Sequence, residues 1–283
     1  MRYRAKSIEL TGRSLMHCER CGAWSIYPVP DSEELNALYD EPYWNEERME
    51  RRRDELWRKG RSQYRFLARA LSQSQRMRLL DIGAGLGPLH QVITTELGER
   101  IDYNAVEINP AAVEQLCVRG AQVYSNVKDA GNGFDGIILS QILEHVTQPR
   151  PFLEDLFGRL RDGGFLFIEV PNEDCRFKTR DEPHVVYYGP SNLRMLVESM
   201  GFRIERLSTC GCPVREMKYH AGLCASPGIR LRWKLMFNHR APLWLQRSLR
   251  WDSHEFEQYG GDRRWIRLLA YKQGSIAGIR KRI

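Results

Sequence analysis

Of the seven histidines in this 283-residue chain, two stand among residues suited to proton transfer: His145 in "LEHV" and His184 in "DEPHVVYYGPSNL". Imidazole takes up and releases a proton near neutral pH, which is what removing a proton from an acceptor hydroxyl requires. Glu144, Glu173 and Asp181 are the nearby carboxylates able to serve instead, and Tyr187 and Tyr188 are placed to shape an acceptor pocket. A second constellation lies in "LLDIGAGLGPLH", where Gly83, Gly85 and Gly87 follow an apolar run that ends in Asp81. Glycines there let the backbone turn sharply and meet a ligand with no Cβ intervening. Glu107 follows 24 residues after Gly83, at the end of the next apolar segment, where a carboxylate can accept hydrogen bonds from a ribose diol. The turn reads G-x-G-x-G, not the dinucleotide G-x-G-x-x-G, and Asp81 before it suits a ligand with an amino end better than a pyrophosphate.

These residues need a frame that brings loop ends together. From Arg78 onward, short apolar strands ("RLLDIG", "IDYNAVEI", "AQVYS", "FDGIILS", "GGFLFIEVP", "RIERLST") alternate with amphipathic helices ("PLHQVITTEL", "AAVEQLCVRG", "PFLEDLFGRLR", "SNLRMLVESMG"). That alternation predicts an α/β, doubly wound fold with a mostly parallel sheet covered on both faces. In such sheets ligands bind beyond the carboxyl ends of the strands, where the glycine turn, Glu107, His145 and His184 all fall. One more strand, "RWIRLLAYKQ", follows about fifty residues without a strand pattern. The boundaries read as an N-terminal extension over 1–60, a core over 61–212, a basic helical insertion over 213–262, and the last strand with the tail over 263–283. The first 45 residues look irregular, apart from a helix start at Asp31 with Glu34 three residues on. Glu46 to Leu71 is helix-prone.

In order, "LLDIGAGLG", "AVEI", "FDGIILSQILEHVTQP" and "LRDGGFLFIEVPN" resemble the successive motifs of the class I S-adenosylmethionine-dependent methyltransferases. The segment carrying His184 resembles the substrate loop of the branch containing ubiquinone-pathway and sugar or polysaccharide O-methyltransferases. The resemblance covers about Tyr64 to Thr209 and the strand near Trp265. It implies a seven-stranded sheet with an antiparallel last strand, and S-adenosylmethionine as cofactor. Gly83, Ala84 and Gly85, with Gly87 closing the turn, would then pass under its methionine part. Asp81 would reach the amino group, Glu107 would hold the ribose, and Ile108 would pack on the adenine. Ser125 or Asn126 stands where many relatives carry an Asp near the adenine amine. Ser140 and Gln141, at the end of the fourth strand, would line the methyl donor.

His184 is read as the general base and His145 as a residue that fixes the loop beside the cofactor. The acceptor expected first is a sugar hydroxyl of a cell-surface polysaccharide, such as lipopolysaccharide, or of its precursor. The alternatives are a quinone or other small aromatic, and a non-catalytic cofactor- or RNA-binding protein.

The net charge of +7 is unevenly spread, with 15 Lys+Arg against 5 Asp+Glu from Pro213 onward. Gly228 to Trp251 holds six basic residues, no acid and three tryptophans. That composition fits a helix at an anionic membrane surface, with helical packing on the core next and nucleic acid last. No signal sequence or membrane span is read, so the expected location is the cytoplasm, at the inner membrane face where the basic segment docks. Cys18 and Cys21 in "HCERCG" resemble half of a zinc ribbon. Without two further ligands nearby they read as the relic of a knuckle that packs without metal.

Overall fold

The computed structural model describes residues 3–10, 13–31, 33–35, 46–72, 76–177, 184–224 and 255–274. Its centre is a seven-stranded sheet built from β4 (Met77–Ile82), β5 (Ile101–Val106), β6 (Gln122–Tyr124), β7 (Phe134–Ser140), β8 (Leu160–Pro171), β10 (Phe202–Pro213) and β11 (Arg263–Lys272). The spatial order is β10-β11-β8-β7-β4-β5-β6. β4 pairs in parallel with β5 on one side and β7 on the other, whereas β11 lies antiparallel between β8 and β10. The doubly wound sheet and its antiparallel last strand are as expected.

Alternation along the strands divides the core between the two faces of the sheet. Leu80, Ile82, Ile137, Leu139 and Ile168 pack on one side, while Met77, Leu79, Ile138, Phe165 and Phe167 pack on the other. The covering helices begin where the sequence dictates. α1 spans Glu46–Leu71, α2 Pro88–Leu97, α3 Pro110–Val118, α4 Pro149–Arg159, α5 Pro190–Ser199 and α6 Val214–His220. Proline opens α2, α3, α4 and α5, where its missing N–H costs no helix bond. Asn109 caps α3 by accepting from Ala112 N–H at 3.1 Å. The Asp31 start is also present: Asp31 accepts from Glu33 and Glu34 N–H, and Glu34 accepts from Asp31 N–H.

The irregular reading of the first 45 residues is corrected. Strands β1 (Tyr3–Leu10), β2 (Arg13–Cys18) and β3 (Trp24–Tyr27) form a small antiparallel sheet with β9 (Val186–Tyr187). Its apolar centre joins Leu15 and Ile26 to Val185 and Tyr187, about 160 residues away in sequence, and local periodicity carries no signal of that partner. Among the described residues no helix is long and apolar enough to cross a membrane. The basic segment Gly228–Trp251 lies outside the described residues.

α1 crosses the sheet at close range. At Gly60 an added Cβ would lie 2.6 Å from the Pro88 carbonyl oxygen, so a glycine in mid-helix is required by backbone approach to α2. Three residues of α1 then reach a buried ion pair. Arg267 on β11 donates from Nε to Glu169 on β8 at 2.6 Å, both side chains fully buried. Lys59 Nζ lies 3.0 Å from the other Glu169 oxygen, Gln63 donates to Glu169 and to Ser140, and Arg267 also donates to Ser62. Against the cost of burial, Lys59 and then Arg267 hold the Glu169 carboxyl below its ordinary range. The stability it contributes is therefore present above the unfolded carboxylate pKa and lost as pH falls through the folded one.

Removing one partner of such a pair leaves an uncompensated buried charge, which costs about 3–5 kcal/mol. Urea denaturation should show a loss of that size for Arg267→Met. The double variant Arg267→Met/Glu169→Gln should lose less. Equal losses would mean that packing of the arginine stem, not charge pairing, supplies the stability.

Candidate active site

Two neighbouring groups of side chains assemble at the carboxyl edge of β4, β5, β7 and β8. The first is the glycine turn. Gly83, Gly85 and Gly87 all have positive φ, at 68°, 54° and 65°, which L side chains adopt only with strain. Their neighbours differ. A Cβ on Gly83 would lie 2.0 Å from Ile142 Cδ1, and one on Gly87 would lie 2.7 Å from Leu116 Cδ2. Packing of Ile142 and of α3 thus adds to the positive φ as a reason for glycine at these two positions, beside the turn and ligand approach the sequence suggested. Ala84 is buried in the core beneath the turn.

Glu107 is placed by three amides: Gly85 N–H donates to Oε2 at 2.7 Å, while Ile108 and Asn109 N–H donate to Oε1 at 2.8 and 2.9 Å. Carboxylate oxygens accept more than one bond, so the same group can receive a ribose diol while it holds the turn. Ile108 beside it is 71% exposed, a large apolar side chain left for a flat base to cover. Asp81 is buried under the turn. Tyr103 Oη donates to its Oδ2 at 2.5 Å, while Oδ1 has no hydrogen-bond partner among the described residues. Burial is the main cause that raises the Asp81 carboxyl to about 7, against the Tyr103 bond and with help from Glu107. An orphaned carboxylate oxygen beneath a nucleoside cradle fits an amino group on the ligand.

Asn126, expected near the adenine, also has a local task. Its Oδ1 caps the turn at Val127–Ala130 by accepting from Lys128 and Asp129 N–H, and its amide pairs with Asp129. Ser125 beside it is exposed. Ser140 accepts from Gln63 at 2.8 Å. Gln141 takes a left-handed φ of 62° as β7 ends, a strain that clusters at functional sites. Its N–H donates to the Glu169 carbonyl at 2.8 Å.

The second group joins the loops after β7 and β8. The stretch from His184 to Tyr188 stitches them together: Val185 N–H donates to the Glu144 carbonyl at 2.7 Å, and Glu173 N–H donates to the Tyr188 carbonyl at 2.8 Å. His145 and His184 meet edge to face with ring centroids 4.9 Å apart. His184 Nδ1 lies 2.9 Å from Asp174 Oδ2, and both side chains are buried. That pairing leaves Nε2 as the basic atom of the ring. Sequence reasoning missed Asp174, because an acid in the loop after a strand has no local signature until its histidine partner is placed. Of the three carboxylates weighed as substitutes, Glu173 pairs with Arg176 and Asp181 lies outside the described residues. Tyr187 and Tyr188 are both buried, in separate apolar clusters.

Glu144 stands apart. Neither of its oxygens has a hydrogen-bond partner among the described residues, although His145 Nε2 lies 3.9 Å from Oε1; burial above all, opposed by His184, raises its carboxyl to about 7. Ligand atoms of Glu144, His145 and His184 all lie within 4.8 Å of one another, so this cluster could hold a metal ion.

The family model described as a methyltransferase domain matches residues 49–207. The chain belongs to that family. S-adenosylmethionine is accordingly its cofactor, and the glycine turn, Asp81 and Glu107 are the residues proposed to hold it. Among curated proteins it is similar to the ubiquinone biosynthesis O-methyltransferase of Parvibaculum lavamentivorans, 30% identical over 119 residues, covering 38% of this chain and 46% of that one. The mitochondrial ubiquinone biosynthesis O-methyltransferase of Bos taurus is 28% identical over 108 residues, covering 34% of this chain and 29% of that one. The matches thus span less than half the length of either relative. Among solved structures, a chain from the complex between a Haloferax volcanii methyltransferase activator and a methyltransferase has the same fold, with TM-score 0.53, 12% identity, and coverage of 85% of this chain and 98% of that one.

Two outcomes are expected of this methyltransferase domain. Glu107→Ala should weaken S-adenosylmethionine binding by ~30–150-fold in calorimetry, since a charged partner of two hydroxyls is worth about 2–3 kcal/mol. Unchanged affinity in the folded variant would remove the ribose assignment. Asp81 must ionise to meet an ammonium, so binding should release a proton and strengthen as pH rises toward and through about 7. In Asp81→Asn that pH dependence should disappear, and its persistence would assign the proton to another group.

Proposed function

We propose that the protein is an S-adenosylmethionine-dependent O-methyltransferase whose acceptor is a small molecule bearing a phenolic hydroxyl, with His184 as general base. The observation that carries this reading is the buried Asp174–His184 pair, at the carboxyl edge of the sheet where the glycine turn also lies. The cofactor supplies, when bound, a methyl group on a sulfonium sulfur. His184 takes the acceptor proton at Nε2 as the hydroxyl oxygen attacks. Asp174 keeps the other ring nitrogen oriented and stabilises the imidazolium that forms. Burial of the loop by Val185, Tyr187 and Tyr188 limits competing water. The aromatic acceptor, second in the sequence reading, is placed first because the curated relatives are named for ubiquinone biosynthesis.

A second reading of the deprotonation is favoured by Glu144, whose two buried oxygens accept no hydrogen bond among the described residues. A divalent cation held by Glu144, His145 and His184 would satisfy them and lower the pKa of a coordinated phenol. One such ion per chain by metal analysis, with activity lost to chelation and restored by the ion, would establish that route in place of a free His184 base.

Labelled cofactor offered with a panel of catechols and a panel of sugars should pass label to the catechols. Label in the sugars would restore the glycan acceptor. His184→Ala should lower turnover by about 10²–10⁴-fold with cofactor affinity nearly intact, and should remove the limb of the pH profile on which turnover rises. His145→Ala should weaken cofactor binding and turnover together. If His145→Ala abolishes turnover and His184→Ala spares it, the two roles are exchanged.

A further inference from the structure

Cys18 and Cys21 are not used by the mechanism above, yet they sit in the hairpin that pairs with the strand following His184. Cys18 ends β2, and the chain turns at once: Gly22 N–H donates to the Cys18 carbonyl at 2.8 Å, and Cys18 N–H donates to that of Ala23 at the same distance. Gly22 takes the left-handed φ of 75° that this turn requires. The turn points backbone amides at both sulfurs: Cys21 and Arg20 N–H face Cys18 Sγ, Ala23 N–H faces Cys21 Sγ, and the thiols lie within hydrogen-bonding reach of each other. Both cysteines are half-buried.

The hairpin is tied to the catalytic loop. Trp24 and Ser25 of β3 pair with Tyr187 and Val186 of β9, and Ile26 N–H donates to the Val185 carbonyl at 3.1 Å. Cys21 is close enough to act electrostatically on Tyr188, which also feels Glu144.

We infer that Cys18 and Cys21 form a thiol–disulfide exchange centre that reacts with low-molecular-weight disulfides and reports its redox state to the loop carrying His184. The amides that face Cys18 hold its thiol below the ordinary range, foremost the Cys21 N–H, whereas burial raises Cys21. Cys18 is therefore the attacking thiolate and Cys21 the resolving one. Cys18 Sγ, its proton lost to solvent, attacks one sulfur of the small disulfide. The S–S bond breaks, one small thiolate leaves, and a mixed disulfide remains on Cys18. Cys21 then loses its proton, attacks Cys18 Sγ and expels the second small thiolate. The pair is oxidised by two electrons and the small disulfide is reduced to two thiols. Residues three apart across a tight turn can meet the Cα separation that a disulfide needs. The other cysteines offer no such arrangement: Cys210 is buried and Cys175 is pushed up to about 12, mainly by burial.

The experiment treats the whole protein with glutathione disulfide, followed by mass spectrometry with peptide mapping. Loss of two hydrogens, mapped to a Cys18–Cys21 bridge and reversed by reduced glutathione, is expected. Cys21→Ser should instead accumulate one glutathionyl group on Cys18, and Cys18→Ser should react far more slowly at Cys21. Oxidation should also shift the backbone amide resonances of Val185 to Tyr188, with those of α3 unmoved. Reaction confined to other cysteines, or one zinc per chain held by this pair and blocking exchange, would overturn the exchange centre. A bridge that leaves the Val185–Tyr188 resonances in place would overturn its link to the site.

Discussion

The buried contact between Arg267 and Glu169 is the constraint on which the other parts are set. A guanidinium and a carboxylate with no exposure each give up a large hydration energy, and the loss is tolerable only where their remaining hydrogen-bonding capacity is used. Here Lys59, Gln63, Ser62 and Tyr259 use most of it, and only Arg267 Nη2 is left without a hydrogen-bond partner among the described residues. Those partners come from α1 and from the segment before β11, so the pair can be satisfied only when the first helix, the fifth parallel strand and the inserted antiparallel strand are in register. Gln63 then extends the network to Ser140, the last residue of β7 and the step before the strained Gln141. The polar bond that orders the core thus also sets where β7 stops.

Function sits where the regular structure ends. Gln141 and Glu173, the residues outside glycine with left-handed backbone, follow β7 and β8. Each lies at the mouth of a loop that carries one catalytic candidate: His145 after β7, and Asp174, the partner of His184, after β8. The rigid frame tolerates the strain because the segment from His184 to Tyr188 binds both loops through backbone hydrogen bonds.

Much of this was legible in the sequence. The turn from β4 into α2 could be read because every signal is local: a buried apolar strand, glycines that need positive φ, and a proline opening the helix. β7 and α2 match their expected spans residue for residue. β11 was recognisable from its apolar run, and its antiparallel direction came from family resemblance, whereas its place between β8 and β10 was not read. What escaped is what depends on distant partners. β1 to β3 are strands because β9 completes their sheet, Asp174 matters because of His184, and Lys59 is drawn inward by a glutamate 110 positions later. Asn126 shows a task the sequence reading did not include: its amide oxygen caps its own turn.

Gly60 turns the contact between α1 and α2 into a tolerance. The missing methyl lets one helix backbone rest against the other's opening carbonyl, and a Cβ there would overlap it at 2.6 Å. Any larger residue must lift the first helix. Lys59 and Gln63 flank that contact, so the same displacement would draw both away from Glu169. The height of α1 above the sheet is therefore gauged by a single hydrogen atom on Gly60. A lineage that kept every catalytic residue but changed this glycine would have to reseat that helix before it could use them.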